Sequence, residues 1–255
     1  MAGHAVPDAR SPDVAAVVLA AGVGSRMGAS VNKVFLLVGG IPILARALEP
    51  FESNPQIAEV VLVAAADELA ECRHRVLEPF GFKKVREVVI GGATRHESEF
   101  NGLRALEPRI ESGAITIALV HDAVRPFATA AQIDALIAET RRSGASILAI
   151  PAAGNLAVRD ADGCAGEPEP GLWEAQTPQA FDARLILAAH RAAFAEGFQG
   201  TDTSSVLERT GRGVSVVEGG ETNIKITTSD DLLLAARIAG EGRRGATSPS
   251  ARGGA

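Results

Sequence analysis

"AAVVLAAGVGSRMG", residues 15–28, decides how the rest of the chain is read. Its first half is a short apolar run without alternation, the pattern of a strand covered on both faces. Its second half is a glycine turn carrying one cation, Arg26, and the loop goes on to a second, Lys33. Glycines at the end of a buried strand let backbone N–H groups turn toward an anion, and a helix N-terminus or nest adds partial positive charge. With the full charges of Arg26 and Lys33 added, the loop suits a triphosphate beside a metal ion. The spacing sets it apart from two common phosphate loops. No GK[ST] ends it, so it is not a Walker A loop. Gly22 and Gly24 fit GxGxxG, but Met27 holds the sixth position and the glycine falls at Gly28.

The same apolar signature recurs at 59–65, 86–92, 115–123, 145–151 and 214–220. Segments with apolar residues at helical spacing lie between these runs, at 42–53, 67–79, 94–107, 129–143 and 182–196. Strand alternating with helix predicts an α/β fold of three layers: a mostly parallel sheet, Rossmann-like, with helices on both faces. A short strand at 222–227 and a helix at 229–239 are expected to close it. Residues 152–175, "AAGNLAVRDADGCAGEPEPGLWEA", break the rhythm with glycines, prolines and acids, and predict an excursion, either an arm or a lid. The expected organisation is one domain over 14–239 with loose tails at 1–13 and 240–255.

Composition narrows the function. A formal net charge of -6 argues against nucleic acid held by a global positive field. No apolar run reaches membrane-spanning length, so no membrane partner is expected. Cys72 and Cys164 lie far apart with no CxxC spacing, which fits a reducing cytoplasm and suggests neither a disulfide framework nor a metal cluster.

Open sheets of this kind bind ligands beyond the carboxyl ends of their strands, so candidates are sought there. "GGATRHES", 91–98, follows the third apolar run; Gly91 and Gly92 permit close backbone approach, Ser98 offers a hydroxyl and Arg95 a cation. The plainer alternative is a strand-to-helix turn capped by Thr94. "HDAVRPF", 121–127, follows the fourth run. There Arg125 suits a phosphate and Asp122 sugar hydroxyls, or the two form an internal pair. His121 reads as a packed residue at a strand end. Lys225, between Ile224 and Ile226, points either to solvent or inward at a phosphate. GxSxG and HExxH are absent, and cations outnumber any base. That balance suits phosphoryl or nucleotidyl transfer, where positioning and charge stabilisation do most of the catalysis.

In this order, "LAAGVGSRMG" with Lys33, "GGATRHES", "VHDAVRP", "GLWEAQTPQAF", "TDTSSVLE" and "NIKIT" resemble the 2-C-methyl-D-erythritol 4-phosphate cytidylyltransferases and their relatives acting on ribitol 5-phosphate. The resemblance runs from about Val14 to Ala239. It implies a nucleotidyltransferase fold that takes CTP and Mg2+, the ion bound mainly through the CTP phosphates, and an alditol phosphate as second substrate. It also implies a homodimer formed through the arm. By position, Ala21, Gly22, Gly24, Gly92, Arg95 and Ser98 belong to the nucleotide; Arg26, Lys33 and Lys225 are catalytic; Asp122, Arg125, Asn155 and Thr177 face the alditol phosphate. Asp202 lies in a shared motif without an assigned role. The departures cluster in the arm. Gly154, Asn155 and Ala157 replace the family's usual Asp-Thr and lysine, and Glu169 stands at an arginine position. Asn32 replaces a proline before Lys33. Methylerythritol phosphate is the expected acceptor, with ribitol 5-phosphate or a non-catalytic nucleotide-binding role as alternatives. A dinucleotide-dependent oxidoreductase on the same layers is disfavoured by the broken GxGxxG.

Overall fold

The computed structural model describes residues 11–22, 32–153, 158–159, 165–166 and 171–246. The opening run forms β1 (Val14–Leu19), buried along nearly its whole length. Its side chains divide between two cores: Val14, Ala16 and Val18 enter one, Ala15 and Val17 the other. That division follows from the two-residue repeat of a strand, and it explains why both faces had to be apolar. Around β1 are α1 (Ile43–Ser53), β2 (Ile57–Ala64), β3 (Val85–Ile90), α3 (Arg95–Glu111), β4 (Ile117–Asp122), α4 (Ala130–Ser143) and β5 (Ala145–Pro151). Between β2 and β3 a helical stretch, α2, runs in three pieces, Leu69–Cys72, Arg73–Leu77 and Glu78–Phe80. After β5 come β6 (Trp173–Asp182), α5 (Ala183–Ala195), α6 (Thr203–Glu208), β7 (Ser215–Glu218) and α7 (Ser229–Ala246).

The seven strands are ordered β3-β2-β1-β4-β6-β5-β7. All pairings are parallel except those of β6, which is antiparallel to both β4 and β5. The expected mostly parallel α/β sheet is therefore present. One core holds Leu44, Leu48 and Phe51 of α1 with Ile133 and Leu136 of α4. The opposite core holds Leu103, Leu106 and Ile110 of α3 with Ile186 and Leu187 of α5. Each such side chain, fully buried, contributes roughly 1.5–3 kcal/mol, so the sheet is held from both faces. Local signals agree with this packing. Thr129 and Gln132 make a reciprocal capping box at the start of α4, and Gly144, at φ 88°, ends it in the left-handed region where glycine costs least.

Three expectations are corrected. The segment 222–227 is not a strand; among the described residues, the Ile226 N–H donates to Val124 O at 2.9 Å without forming a ladder. What holds it is Ile226, buried in a small core with Val38, Ile43, Ala235 and Ala239. Strand β6 carries no alternating pattern, because Gln176, Thr177 and Gln179 are polar yet buried, and Pro178 cannot donate to a ladder. A register shift between Gln176 and Gln179 takes Thr177 and Pro178 out of the pairing with β5, which is how a central strand tolerates them. The closing helix runs on to Ala246, beyond residue 239. Of the excursion at 152–175, residues 173–175 belong to β6, and Val158–Arg159 pairs antiparallel with Ala165–Gly166.

Candidate functional site

A cleft opens at the carboxyl ends of β1, β3 and β4, where the connectivity of the sheet reverses. Ala21, Gly22, Lys33, Gly92, Arg95, Ser98, Asp122 and Lys225 all line it. The sequence had placed each of these in the site, from four separate stretches of chain. Gly24, Arg26 and Asn155, with Gly154, Ala157 and Glu169 of the arm, lie outside the described residues.

One wall is the turn from β3 into α3. Thr94 caps α3, accepting from the Glu97 N–H at 3.1 Å, so the plain reading of this turn holds together with its place in the cleft. The Ser98 hydroxyl donates to Thr94 O at 2.9 Å and accepts from the Gly92 N–H at 3.0 Å. It braces the turn. The two glycines are required by close packing. A Cβ on Gly91 would lie 2.4 Å from the Ala21 Cβ, and one on Gly92 would lie 2.2 Å from the Glu97 Cβ.

At the floor stands Asp122, the last residue of β4. Its Oδ1 accepts from Arg95 Nε at 3.1 Å and Nη2 at 3.0 Å, and its Oδ2 from Lys225 Nζ at 2.7 Å. Burial opposes its charge, but Arg95 and Lys225 outweigh burial and hold the carboxyl far below the usual carboxylate range. Burial likewise disfavours the Arg95 cation, and Asp122 and Glu99 more than compensate. The internal Asp122–Arg125 pair is not made. Arg125 instead donates from Nη1 to Asn223 O at 2.7 Å and from Nη2 to Ala175 O at 3.4 Å.

Arg125 and Thr177, expected to face the acceptor, sit behind this floor, 6% and 4% exposed. Their bonding defines a chain. His121 Nε2 lies 3.0 Å from Arg125 O, a pure acceptor, so Nε2 carries the hydrogen. Burial lowers the His121 pKa to about 4, so the ring is neutral at neutral pH and its Nδ1 accepts. The Thr177 hydroxyl donates to that Nδ1 at 3.1 Å and accepts from the Asp122 N–H at 3.0 Å. Thr177 therefore fixes the backbone of Asp122. His121 is packed, as its sequence context suggested.

Both lysines are flanked by residues to which the sequence gave no role. Asn32, at the usual proline position, caps the turn Lys33–Phe35 by accepting from the Val34 N–H at 3.2 Å. Its Nδ2 donates to Ala20 O at 3.3 Å and to Glu68 Oε2 at 2.7 Å, which ties the turn to the end of β1. Lys33 Nζ then reaches Ile226 O at 3.4 Å, beside Lys225. On the other side Asp231 accepts from the N–H groups of Thr227 and Thr228, both at 2.8 Å, and returns its own N–H to Thr228 Oγ1 at 3.2 Å. Burial opposes the Asp231 charge, but these bonds, led by the Thr227 hydroxyl, lower its pKa to about 2. Asp202, unassigned from sequence, caps α6 and accepts from Gln179 Nε2 at 2.8 Å.

The arrangement presents cations around a single compensated carboxylate. Among the described residues lining the cleft, Asp122 is the only acid. The described surface therefore suits an anion.

Comparison with known proteins agrees with this chemistry. Residues 14–241 match the family model of 2-C-methyl-D-erythritol 4-phosphate cytidylyltransferase. The enzyme of that description from Geobacter metallireducens is 47% identical over 223 residues, 87% of this chain and 95% of that one. The one from Geotalea uraniireducens is 44% identical over 223 residues, 87% of this chain and 94% of its own. Among solved structures, the 4-diphosphocytidyl-2C-methyl-D-erythritol synthase of Anaerococcus prevotii superposes with a TM-score of 0.77 at 32% identity, covering 89% of this chain and 96% of its own.

Proposed function

The chain belongs to the 2-C-methyl-D-erythritol 4-phosphate cytidylyltransferase family, and from that premise we propose how its cleft carries out the reaction. It is a nucleotidyltransferase that joins CTP and 2-C-methyl-D-erythritol 4-phosphate, giving the CDP-alditol and pyrophosphate in isoprenoid precursor synthesis. A phosphate oxygen of the alditol phosphate attacks the α-phosphorus of CTP. The bond from that phosphorus to the bridging oxygen breaks, and the electron pair leaves on pyrophosphate. Three anionic groups crowd together in this step, and the protein's task is to hold them in line and offset their charge.

In this reading the backbone of Ala21, Gly22, Gly24 and Gly92 seats the nucleotide, and Ser98 and Arg95 keep that wall in shape. Arg26, Lys33 and Lys225 offset the charge on the phosphates and in the transition state. Asp122 orients Lys225 and meets the alditol hydroxyls, while Arg125 and Thr177 hold Asp122 from behind. Asn155 belongs to the acceptor side of the proposal. The observation that carries the reading is the meeting of Lys33 and Lys225 at one cleft, with Lys225 Nζ 2.7 Å from Asp122 and Lys33 Nζ 3.4 Å from Ile226 O.

Mg2+ fits this site through the substrate. The one carboxylate of the described lining is already paired to two cations, so the ion is proposed to ride mainly on the CTP phosphates, where Asp122 would be the carboxylate available to it. Bound there, it supplies charge compensation for the departing pyrophosphate. A cytoplasmic homodimer joined through the arm completes the proposal. Leu172 and Trp173, 45% and 48% exposed at the base of the arm, support the dimer. No described helix is long and apolar enough to cross a membrane.

The test is pyrophosphate release with CTP and Mg2+ across methylerythritol 4-phosphate, ribitol 5-phosphate, erythritol 4-phosphate and glycerol 3-phosphate. Methylerythritol 4-phosphate is expected to give the highest kcat/KM. Turnover with another acceptor and none with this one would overturn the assignment.

A further inference from the structure

Behind the Arg95 wall lies a second buried polar cluster. His96 and Glu99 stand three residues apart on α3, and His190 comes from α5, packed against it. The three are 3%, 0% and 0% exposed. One ligand atom from each can be chosen so that all lie within 4.8 Å of one another.

Two observations point to a cation site. His190 Nδ1 lies 3.1 Å from Ile186 O, a pure acceptor, so that nitrogen carries the hydrogen. In the neutral ring, Nε2 is then a lone pair, and it faces a second lone pair on Glu99 Oε2 at 3.3 Å. Two acceptors at that distance need a positive centre between them, either a proton or a metal ion. Independently, both ring nitrogens of His96 are buried without a partner, a costly state for a polar side chain.

We propose that His96, Glu99 and His190 form a site for a divalent transition metal of the zinc type, separate from the magnesium that accompanies the nucleotide. Two imidazoles and one carboxylate are the donor set of such ions, and imidazole does not suit magnesium. The supporting shell is already present. The His190 Nδ1–H is held by Ile186 O, as metal-bound histidines usually are, and Glu99 Oε1 accepts from the Thr203 hydroxyl at 2.7 Å and from Arg95. The two rings stack at 5.0 Å with 10° between their planes. Binding at about 2.0–2.1 Å per nitrogen requires the His96 ring to turn toward Glu99. A water molecule would complete a tetrahedral shell. Through Glu99 and Arg95 the ion connects to Asp122 at the floor of the cleft.

The experiment uses the full chain without a histidine tag, stripped of metal by a chelator. Zn2+ binding is followed by equilibrium dialysis, Co2+ binding by its visible absorption, and Mg2+ serves as control. One equivalent of Zn2+ or Co2+ is expected at micromolar concentration, with a matching rise in melting temperature and no such binding of Mg2+. His96→Phe keeps the stacked ring and removes its nitrogens. It is expected to weaken binding by about 100-fold or more, since loss of a supporting contact alone costs 10–100-fold. His190→Gln serves as the second variant if the first does not fold. Absence of stoichiometric Zn2+ binding by the unaltered chain overturns the site. Binding unchanged in a folded variant overturns it equally. The readout requires no turnover.

Discussion

On the β3 side of the cleft, the wall is backbone brought close: Gly91 and Gly92 pack where a methyl group would lie 2.4 Å from Ala21 and 2.2 Å from Glu97. On the Asp122 side the wall is side chains joined across long stretches of sequence. Arg95, Lys225 and Thr177 converge on Asp122, and Asn223 and Ala175 anchor Arg125 from behind. The first wall gains its shape from what is left out, and the second from polar groups that are nearly all satisfied. They should therefore fail differently. Damage to the first distorts packing and nucleotide binding. Damage to the second strands charges in a buried setting, where an unpaired partner costs far more than a pair contributes.

The largest effect is expected on the charged wall. Lys225→Ala should lower kcat/KM for cytidylyl transfer by about 10²–10³-fold, the loss typical of one electrostatic contact in the transition state. Pyrophosphate release measures it, and a loss below tenfold would show that Lys225 only pairs with Asp122. Next comes acid sensitivity. The folded pKa of His121 is lowered from 6.5 to about 4, so between these values the unfolded chain binds more protons and stability rises with pH. The contribution is complete above pH 6.5 and lost as pH falls toward 4, about 3 kcal/mol in all at 1.36 kcal/mol per unit. Asp122, also lowered, acts in the same direction but only below its unfolded value of 3.8. Denaturant melts from pH 7 to pH 4 should show the loss, and His121→Gln should flatten it. An equally steep curve in that variant would move the effect elsewhere.

Thr177→Val should cost about 1–3 kcal/mol, because it leaves the Asp122 N–H and His121 Nδ1 without partners in a buried place. It should also lower kcat more than it raises KM for CTP, since Asp122 is displaced while the nucleotide wall stays intact. A change confined to KM for CTP would erase the distinction between the walls. The smallest effect belongs to Gly91→Ala, about 1–2 kcal/mol from overpacking. Its signature should be weaker CTP binding by calorimetry with little change in acceptor KM.

The walls also differ in how legible they were. Gly92, Ser98 and Arg95 fall within eight residues after a strand, so one glance at the chain collects them. Lys225 and Asp122 could be singled out one at a time, but nothing local joins them. Thr177 is buried and bonds the Asp122 N–H and His121 Nδ1, contacts that residue type alone does not reveal. Asn32 looked like a departure from a proline, yet it ties the Lys33 turn to β1 and to Glu68. Strand β6 escaped notice because a central strand built on Gln176, Thr177 and Gln179 shows no hydrophobic period.

Periodicity, glycine placement and the order of the motifs determined from sequence alone that this chain is a layered α/β protein with its candidate cleft after β1 and β3. Those are local properties, set by the two-residue repeat of strands and by what a backbone without a Cβ can do. Only the tertiary structure decided which cations share Asp122, which hydroxyl supports it, and that His190 and Glu99 meet. Such contacts join side chains from distant segments, and their energies depend on burial and on partners that no local pattern specifies.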